Sequence, residues 1–135
     1  MNGLTVIVRE IVEAARPNRV EVRLEIVDDD EFARRLSAWD ASFRAWGARR
    51  DQAGRPCGDP PAEPAAFLND IDGSLTDDCN TAYRWDSKRA GGSGTERDAQ
   101  WSLTPAPPAA ARVLTLTIGH DAVLTWYRSA GNTWE

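Results

Sequence analysis

The stretch that most constrains the fold is "RVEVRLEIV", residues 19–27, in which apolar and charged residues alternate. Every second residue from Val20 to Ile26 is apolar, so these side chains lie on one side of an extended chain. This period of two indicates a strand with one face in a core and the other in water, as in antiparallel sheets. Residues 4–14 are rich in β-branched residues and turn residues follow them, which predicts an N-terminal antiparallel hairpin.

The period changes after residue 27. Large apolar residues recur at steps of four, three, four and three, which places them on one face of a helix predicted at about residues 30–46. Residues 28–30 supply an N-cap, and Gly47 lies near the expected end. We expect this face either to pack inside the domain or to bind a partner protein. It consists of Phe32, Leu36, Trp39, Phe43 and Trp46, called the aromatic row below.

The rest of the chain predicts short strands. Residues 47–66 are rich in proline and glycine, which indicates a connector with little regular structure. A short strand, a turn at Asp72-Gly73 and further short strands follow. With one helix and no strand–helix–strand alternation, residues 1–135 are predicted to form a single all-β domain, an antiparallel sandwich of about seven or eight strands.

Composition excludes several classes of protein. Sixteen Lys and Arg against 21 Asp and Glu give a net charge of −5, which disfavours nucleic-acid binding. Arg9 and Glu10 interrupt the only apolar stretch near the N-terminus, so neither a secretory signal nor a membrane segment is expected and a cytoplasmic protein is predicted. Cys57 and Cys79 allow one disulfide or two thiols, and that compartment favours thiols.

The segment "GGSGT", residues 91–95, nearly matches two catalytic motifs. A nucleophile elbow requires glycine where Thr95 stands, and a phosphate-binding loop requires a lysine that does not follow. The next residues indicate a strand and not a helix, and a catalytic triad would have to use His120, the single histidine. We therefore interpret the segment as a turn, which predicts that Trp85 and Trp101 lie on neighbouring or facing strands.

Acidic residues of "NDIDGSLTDD", residues 69–78, form a second candidate site. Alignment with an EF-hand loop places Leu68 and Cys79 at ligand positions, which excludes that motif. A looser calcium site remains an alternative to turns stabilised by aspartate side chains, and no other cofactor is expected. The candidate ligands are Asp70, Asp72, Asp77 and Asp78.

Six tryptophans raise the question of carbohydrate binding, because exposed indoles stack on sugar rings. Three of them, Trp85, Trp101 and Trp126, lie in predicted strands, where core packing explains them. Trp134 lies near the end of the chain and is the tryptophan expected to be exposed.

The second half of the chain resembles uncharacterised actinobacterial immunoglobulin-like β-sandwich domains. The resemblance covers about residues 75–118 and rests on "DDCNTAY", on the glycine-serine loop at 91–94 and on "WSLTPAPPAAARVLTLTI". Asn80 stands where a glycine is expected in that pattern, and asparagine tolerates the same left-handed backbone. The resemblance implies the fold and no activity.

Together these patterns predict a non-catalytic, immunoglobulin-like β-sandwich. Its expected role is protein interaction or scaffolding, with another protein or a second copy of the chain as the partner and the aromatic row as the candidate binding residues. The alternative is a carbohydrate- or calcium-binding module of a secreted parent, which would use the acidic loops and Trp134.

Overall fold

A computed structural model describes residues 2–55, 58–90, 96–120 and 122–135. Within these ranges the chain forms seven β-strands, one α-helix and one 3₁₀ turn. In chain order they are β1 (Val6–Ala14), β2 (Arg19–Ile26), α1 (Asp30–Ala53), the 3₁₀ turn (Ala66–Asn69), β3 (Gly73–Asp77), β4 (Arg84–Ala90), β5 (Asp98–Thr104), β6 (Val113–Ile118) and β7 (Ala122–Tyr127).

The strands form two sheets. Sheet A has the order β1-β2-β5-β4 and sheet B the order β3-β6-β7. Every strand pair is antiparallel, as the alternation predicted. The free edges are therefore β1 and β4 of sheet A and β3 and β7 of sheet B.

One apolar core lies between the sheets. Every second residue from Val20 to Ile26 is buried, as the sequence predicted, and the same alternation buries Leu114, Leu116 and Ile118 of β6. Residues of both sheets belong to this single cluster, which also includes Phe32 at the start of α1. The two sheets are thus held together mainly by burial of apolar surface.

Trp101 of β5 lies near the flank of the sandwich at which the edge strand β4 of sheet A faces the edge strand β3 of sheet B. Its ring is fully buried, and its indole N–H donates to the Leu68 carbonyl oxygen at 3.0 Å. Trp85 of β4 meets it edge to face, with ring centroids 5.5 Å apart, and donates its own indole N–H to the Gly73 carbonyl oxygen at 3.2 Å. The prediction that Trp85 and Trp101 lie on neighbouring or facing strands is confirmed, since β4 pairs with β5.

The single lysine of the chain completes this cluster. The Lys88 ammonium lies 4.2 Å from the Trp85 ring centroid and 5.6 Å from that of Trp101. It also donates to the Ile71 carbonyl oxygen at 2.8 Å. Because the stem of a lysine is apolar and its charge attracts an aromatic face, Lys88 extends the core while its charge remains stabilised.

Two predictions are wrong, one about the end of the helix and one about the type of an element. The helix continues through Gly47 to Ala53 and ends at Gly54, whose backbone is left-handed with φ 66°. Residues 48–53 are mostly good helix formers and include no proline. The helix therefore continues past Gly47. The segment at Ala66–Asn69, predicted as a strand, is a 3₁₀ turn, which directs Leu68 into the core and its carbonyl oxygen at Trp101.

Helix α1 projects from the sandwich. Phe32 is its one buried residue, and most of its other side chains are exposed. Of the helices in the described ranges, none combines the length and the apolar character that a membrane crossing requires.

We expect Trp101→Ala to lower the free energy of unfolding by about 3–5 kcal/mol, because it removes a fully buried aromatic ring and leaves the Leu68 carbonyl unpaired. Chemical denaturation at neutral pH measures this loss. Val123→Ala, at an exposed strand position, is the control and should cost less than about 1 kcal/mol. An equal loss in both variants would contradict the central position of Trp101.

Candidate functional site

The aromatic row divides into two parts. Phe32 is buried in the core, and Leu36 is half-buried against it. These two residues anchor the first turns of α1 to the sandwich, so they are packed internally.

Two of the other three residues of the row contact the connector. The indole N–H groups of Trp39 and Trp46 donate to the carbonyl oxygens of Pro61 at 3.1 Å and Gly58 at 3.2 Å. The connector therefore returns along the helix in the opposite direction. Phe43 lies between the two indoles, with ring centroids at 5.1 and 5.6 Å, and 40% of its surface remains exposed.

The candidate calcium ligands do not form one cluster. Among the described residues, the one group with metal-ligating atoms close together is Asp77, Asp78 and Cys79, within 4.8 Å of one another. It contains neither Asp70 nor Asp72.

The Asp77 carboxylate organises the turn after β3. One oxygen accepts the backbone N–H groups of Cys79 at 2.8 Å and Thr81 at 3.1 Å, and the other accepts the Tyr83 hydroxyl at 2.6 Å. Burial raises the pKa of Asp77, but hydrogen bonds from Thr81, Tyr83 and Cys79 outweigh burial and hold the pKa below its usual range. Burial and the Asp77 charge raise the pKa of Tyr83.

Asp78 fixes the start of β6. One of its oxygens accepts the backbone N–H of Arg112 at 2.9 Å and that of Val113 at 3.4 Å, and the Arg112 hydrogen bond lowers the pKa of Asp78. Desolvation and the neighbouring carboxylates raise the pKa of the Cys79 thiol, which disfavours its thiolate form. The carboxylates of this group therefore stabilise turns.

The "GGSGT" segment and Cys57 lie outside the described residues. The strands that flank the segment, β4 and β5, are adjacent and antiparallel, as a turn at 91–95 requires. His120 is exposed in the turn after β6.

The surface around β7 was not singled out from the sequence. Three of the five large apolar side chains found exposed in the described ranges lie on this strand: Val123 at 67%, Leu124 at 36% and Tyr127 at 61%. The strand pairing also places eight uncharged side chains on the outer face of sheet B. They are Ser74, Thr76, Val113, Thr115, Thr117, Val123, Thr125 and Tyr127.

The free edge of β7 offers unused backbone groups. Successive residues of an antiparallel strand direct their N–H and C=O groups to opposite sides. The Arg128 N–H donates to Arg112 beside β6, whereas the Tyr127 N–H and C=O bond to Glu135 at 2.9 and 3.0 Å on the free side. Val123 and Thr125 therefore direct their backbone groups to the free side, where no described residue pairs with them.

An apolar groove lies between this edge and sheet A. Its volume is about 370 Å³, and it is lined by residues 6–8 of β1 and 124–126 of β7. Val6, Val8 and Trp126 also pack against the core, so the groove is a lateral opening of the sandwich.

The other end of this flank is closed by Glu13, Arg128 and Trp134. The Arg128 guanidinium lies 3.1 Å from a Glu13 carboxylate oxygen and 4.4 Å from the Trp134 ring centroid, and the Trp134 N–H donates to Glu13 at 2.7 Å. Trp134 is only 8% exposed, so the expectation of an exposed indole at this position is wrong. The reason is the turn at Ser129–Thr133, which folds the last residues back against β7.

Comparisons with known proteins add no assignment. No family model matches the chain, and neither the curated proteins nor the solved structures give a match.

We expect Tyr83→Phe to lower the free energy of unfolding at pH 7 by about 1.5–3 kcal/mol, because it removes a hydrogen bond to an ionised carboxylate. The lowered pKa of Asp77 means that this stabilisation is present above the unfolded-state pKa of about 3.9 and is lost as the pH falls through the folded-state value. Denaturation at pH 7 and below pH 3 measures the difference. Tyr127→Phe is the matched control, and an equal cost at both pH values would contradict the assignment.

Proposed function

We propose that this domain is a non-catalytic, immunoglobulin-like protein-interaction module that binds its partner on the β7 side of sheet B. The strand order supports the fold assignment. Lettered A to G in chain order, the strands give A-B-E-D in one sheet and C-F-G in the other, which is the order of constant-type immunoglobulin domains. Helix α1 is then an insertion between the second and third strands.

The observation that carries the interaction role is the group of exposed apolar side chains on β7. Val123 and Tyr127 lie beside a face of threonine, serine and valine, with no charged side chain among the eight residues named above. In a chain with net charge −5, a neutral face with exposed apolar groups is typical of a protein-binding surface, because protein interfaces are depleted of charge at their centre.

Sheet A has the opposite character. On its outer face, Glu25 is paired with Arg9 and, at 3.0 Å, with Arg97, while Arg23 is paired with Glu10. The Arg9 hydrogen bond lowers the pKa of Glu25, as expected for an ion pair. Such a face is well solvated, so sheet B is the better candidate for a partner.

The aromatic row supports the interaction role less strongly. Four of its five members are covered by the core or the connector. The fifth, Phe43, is the one member of the row with a large exposed fraction. The alternative of a carbohydrate- or calcium-binding module has less support, because Trp134 is buried and the carboxylates of Asp77 and Asp78 accept backbone hydrogen bonds.

The test is affinity capture from a lysate of the source cells with the wild-type domain and two lysine variants. Val123→Lys introduces a charge at the most exposed apolar residue of the proposed surface and should reduce the recovery of a captured partner at least about tenfold. Val12→Lys places the same change on the outer face of sheet A, opposite Glu21, and should leave recovery unchanged.

Denaturation of both variants shows whether each is folded. Loss of the partner with both substitutions, or with neither, would contradict the proposed surface. Phe43→Lys is included as a third bait, and selective loss with that variant would assign the interaction to the helix instead.

A further inference from the structure

We propose that the partner binds by strand addition: an uncharged extended segment of another protein pairs antiparallel with the free edge of β7 and fills the groove between β7 and β1. This inference rests on the proposed interaction role and specifies its mechanism.

The hydrogen-bonding groups of the edge favour a strand as the ligand. Val123 and Thr125 together offer two backbone N–H and two backbone C=O groups. No residue in the described ranges forms a backbone hydrogen bond with them. Glu135 already pairs with this edge, since it makes both backbone hydrogen bonds with Tyr127 in an antiparallel arrangement. A strand that adds beyond Glu135 continues this pairing along Thr125 and Val123.

The side chains of the added strand are specified by the pleat. Residues directly opposite Val123 and Thr125 join the neutral outer face, where hydroxyl and β-branched side chains fit. The residue opposite Leu124 points to the groove of about 370 Å³, which is lined by apolar side chains of β1 and β7. The binding segment therefore has apolar residues at alternate positions and small polar or β-branched residues between them.

The free edge of β1 is better protected against pairing with another strand than the free edge of β7. The free edge of β1 carries the charged residues Arg9 and Glu10 and an irregular register between Val8 and Glu10, and both features discourage pairing with another strand. Residues 122–127 contain no charge, no proline and no irregularity in their pairing with β6. Because the edge is neutral, it favours an uncharged segment over an acidic or basic one.

A second copy of the chain fits this edge poorly. Two copies could pair antiparallel through Val123 and Thr125 of each copy. In every such register, the residue of the second copy that falls opposite Tyr127 of the first lies at the start of β7 or in the turn before it. Glu135 occupies that position. The net charge of −5 on each copy adds repulsion at low ionic strength.

The probe is a synthetic peptide with blocked ends and the sequence of residues 113–119, VLTLTIG, because β6 already pairs with the other edge of β7, carries no charge and has the required alternation. Titration of the isotopically labelled full chain, followed by amide chemical shifts, should give saturable shifts centred on Val123 and Thr125. A peptide of the same composition in scrambled order should not produce them.

Thr125→Pro removes an edge N–H without disturbing the pairing with β6, since this N–H points away from that strand. It should weaken peptide binding about tenfold. Val123→Lys tests the same site if the proline variant fails to fold, and Val12→Lys should bind like the wild type.

Equal shifts with the scrambled peptide, or unchanged binding by Thr125→Pro, would overturn strand addition. Concentration-dependent shifts of Val123 and Thr125 without peptide would show that the occupant is a second copy and would also overturn it. If Val123→Lys abolishes capture of the cellular partner while Thr125→Pro does not, the interaction surface is retained but strand addition is excluded.

Discussion

The buried indole of Trp101 is the contact on which the arrangement of the two sheets depends. It belongs to sheet A, donates to Leu68 of the 3₁₀ turn, and supports Trp85, whose own N–H reaches Gly73 of sheet B. Lys88 covers both rings. This flank is therefore closed by aromatic packing and by hydrogen bonds that satisfy backbone carbonyls of the connecting segment, which leaves little room for a ligand.

The opposite flank is closed at one end only. The Arg128 guanidinium joins Glu13 of β1 to the residues after β7 and is covered by Trp134. Farther along, β1 and β7 separate and leave an apolar groove beside an edge whose backbone groups are unpaired within the described ranges. The sandwich therefore has one closed flank and one partly open flank, and the function proposed above follows from that difference.

Much of the fold could be predicted because strand period and burial coincide in β2, β5 and β6. The adjacency of Trp85 and Trp101 followed from the turn residues between them. The extent of α1 could not be predicted, because the helix is supported by hydrogen bonds from Trp39 and Trp46 to a connector that has no periodic pattern of its own. The β7 surface was missed for a related reason: "AVLTWY" has the composition of a buried strand, and only the strand order shows that it lies at an edge.

The most direct test of the account is amide hydrogen exchange of the free domain at low concentration, read at four neighbouring residues of β7. The account predicts rapid exchange at Val123 and Thr125, whose N–H groups face the open edge, and slow exchange at Leu124 and Trp126, whose N–H groups bond to β6. Equal protection at all four residues in the free domain would show that the edge is already paired, and it would contradict the proposal that β7 is open to a partner.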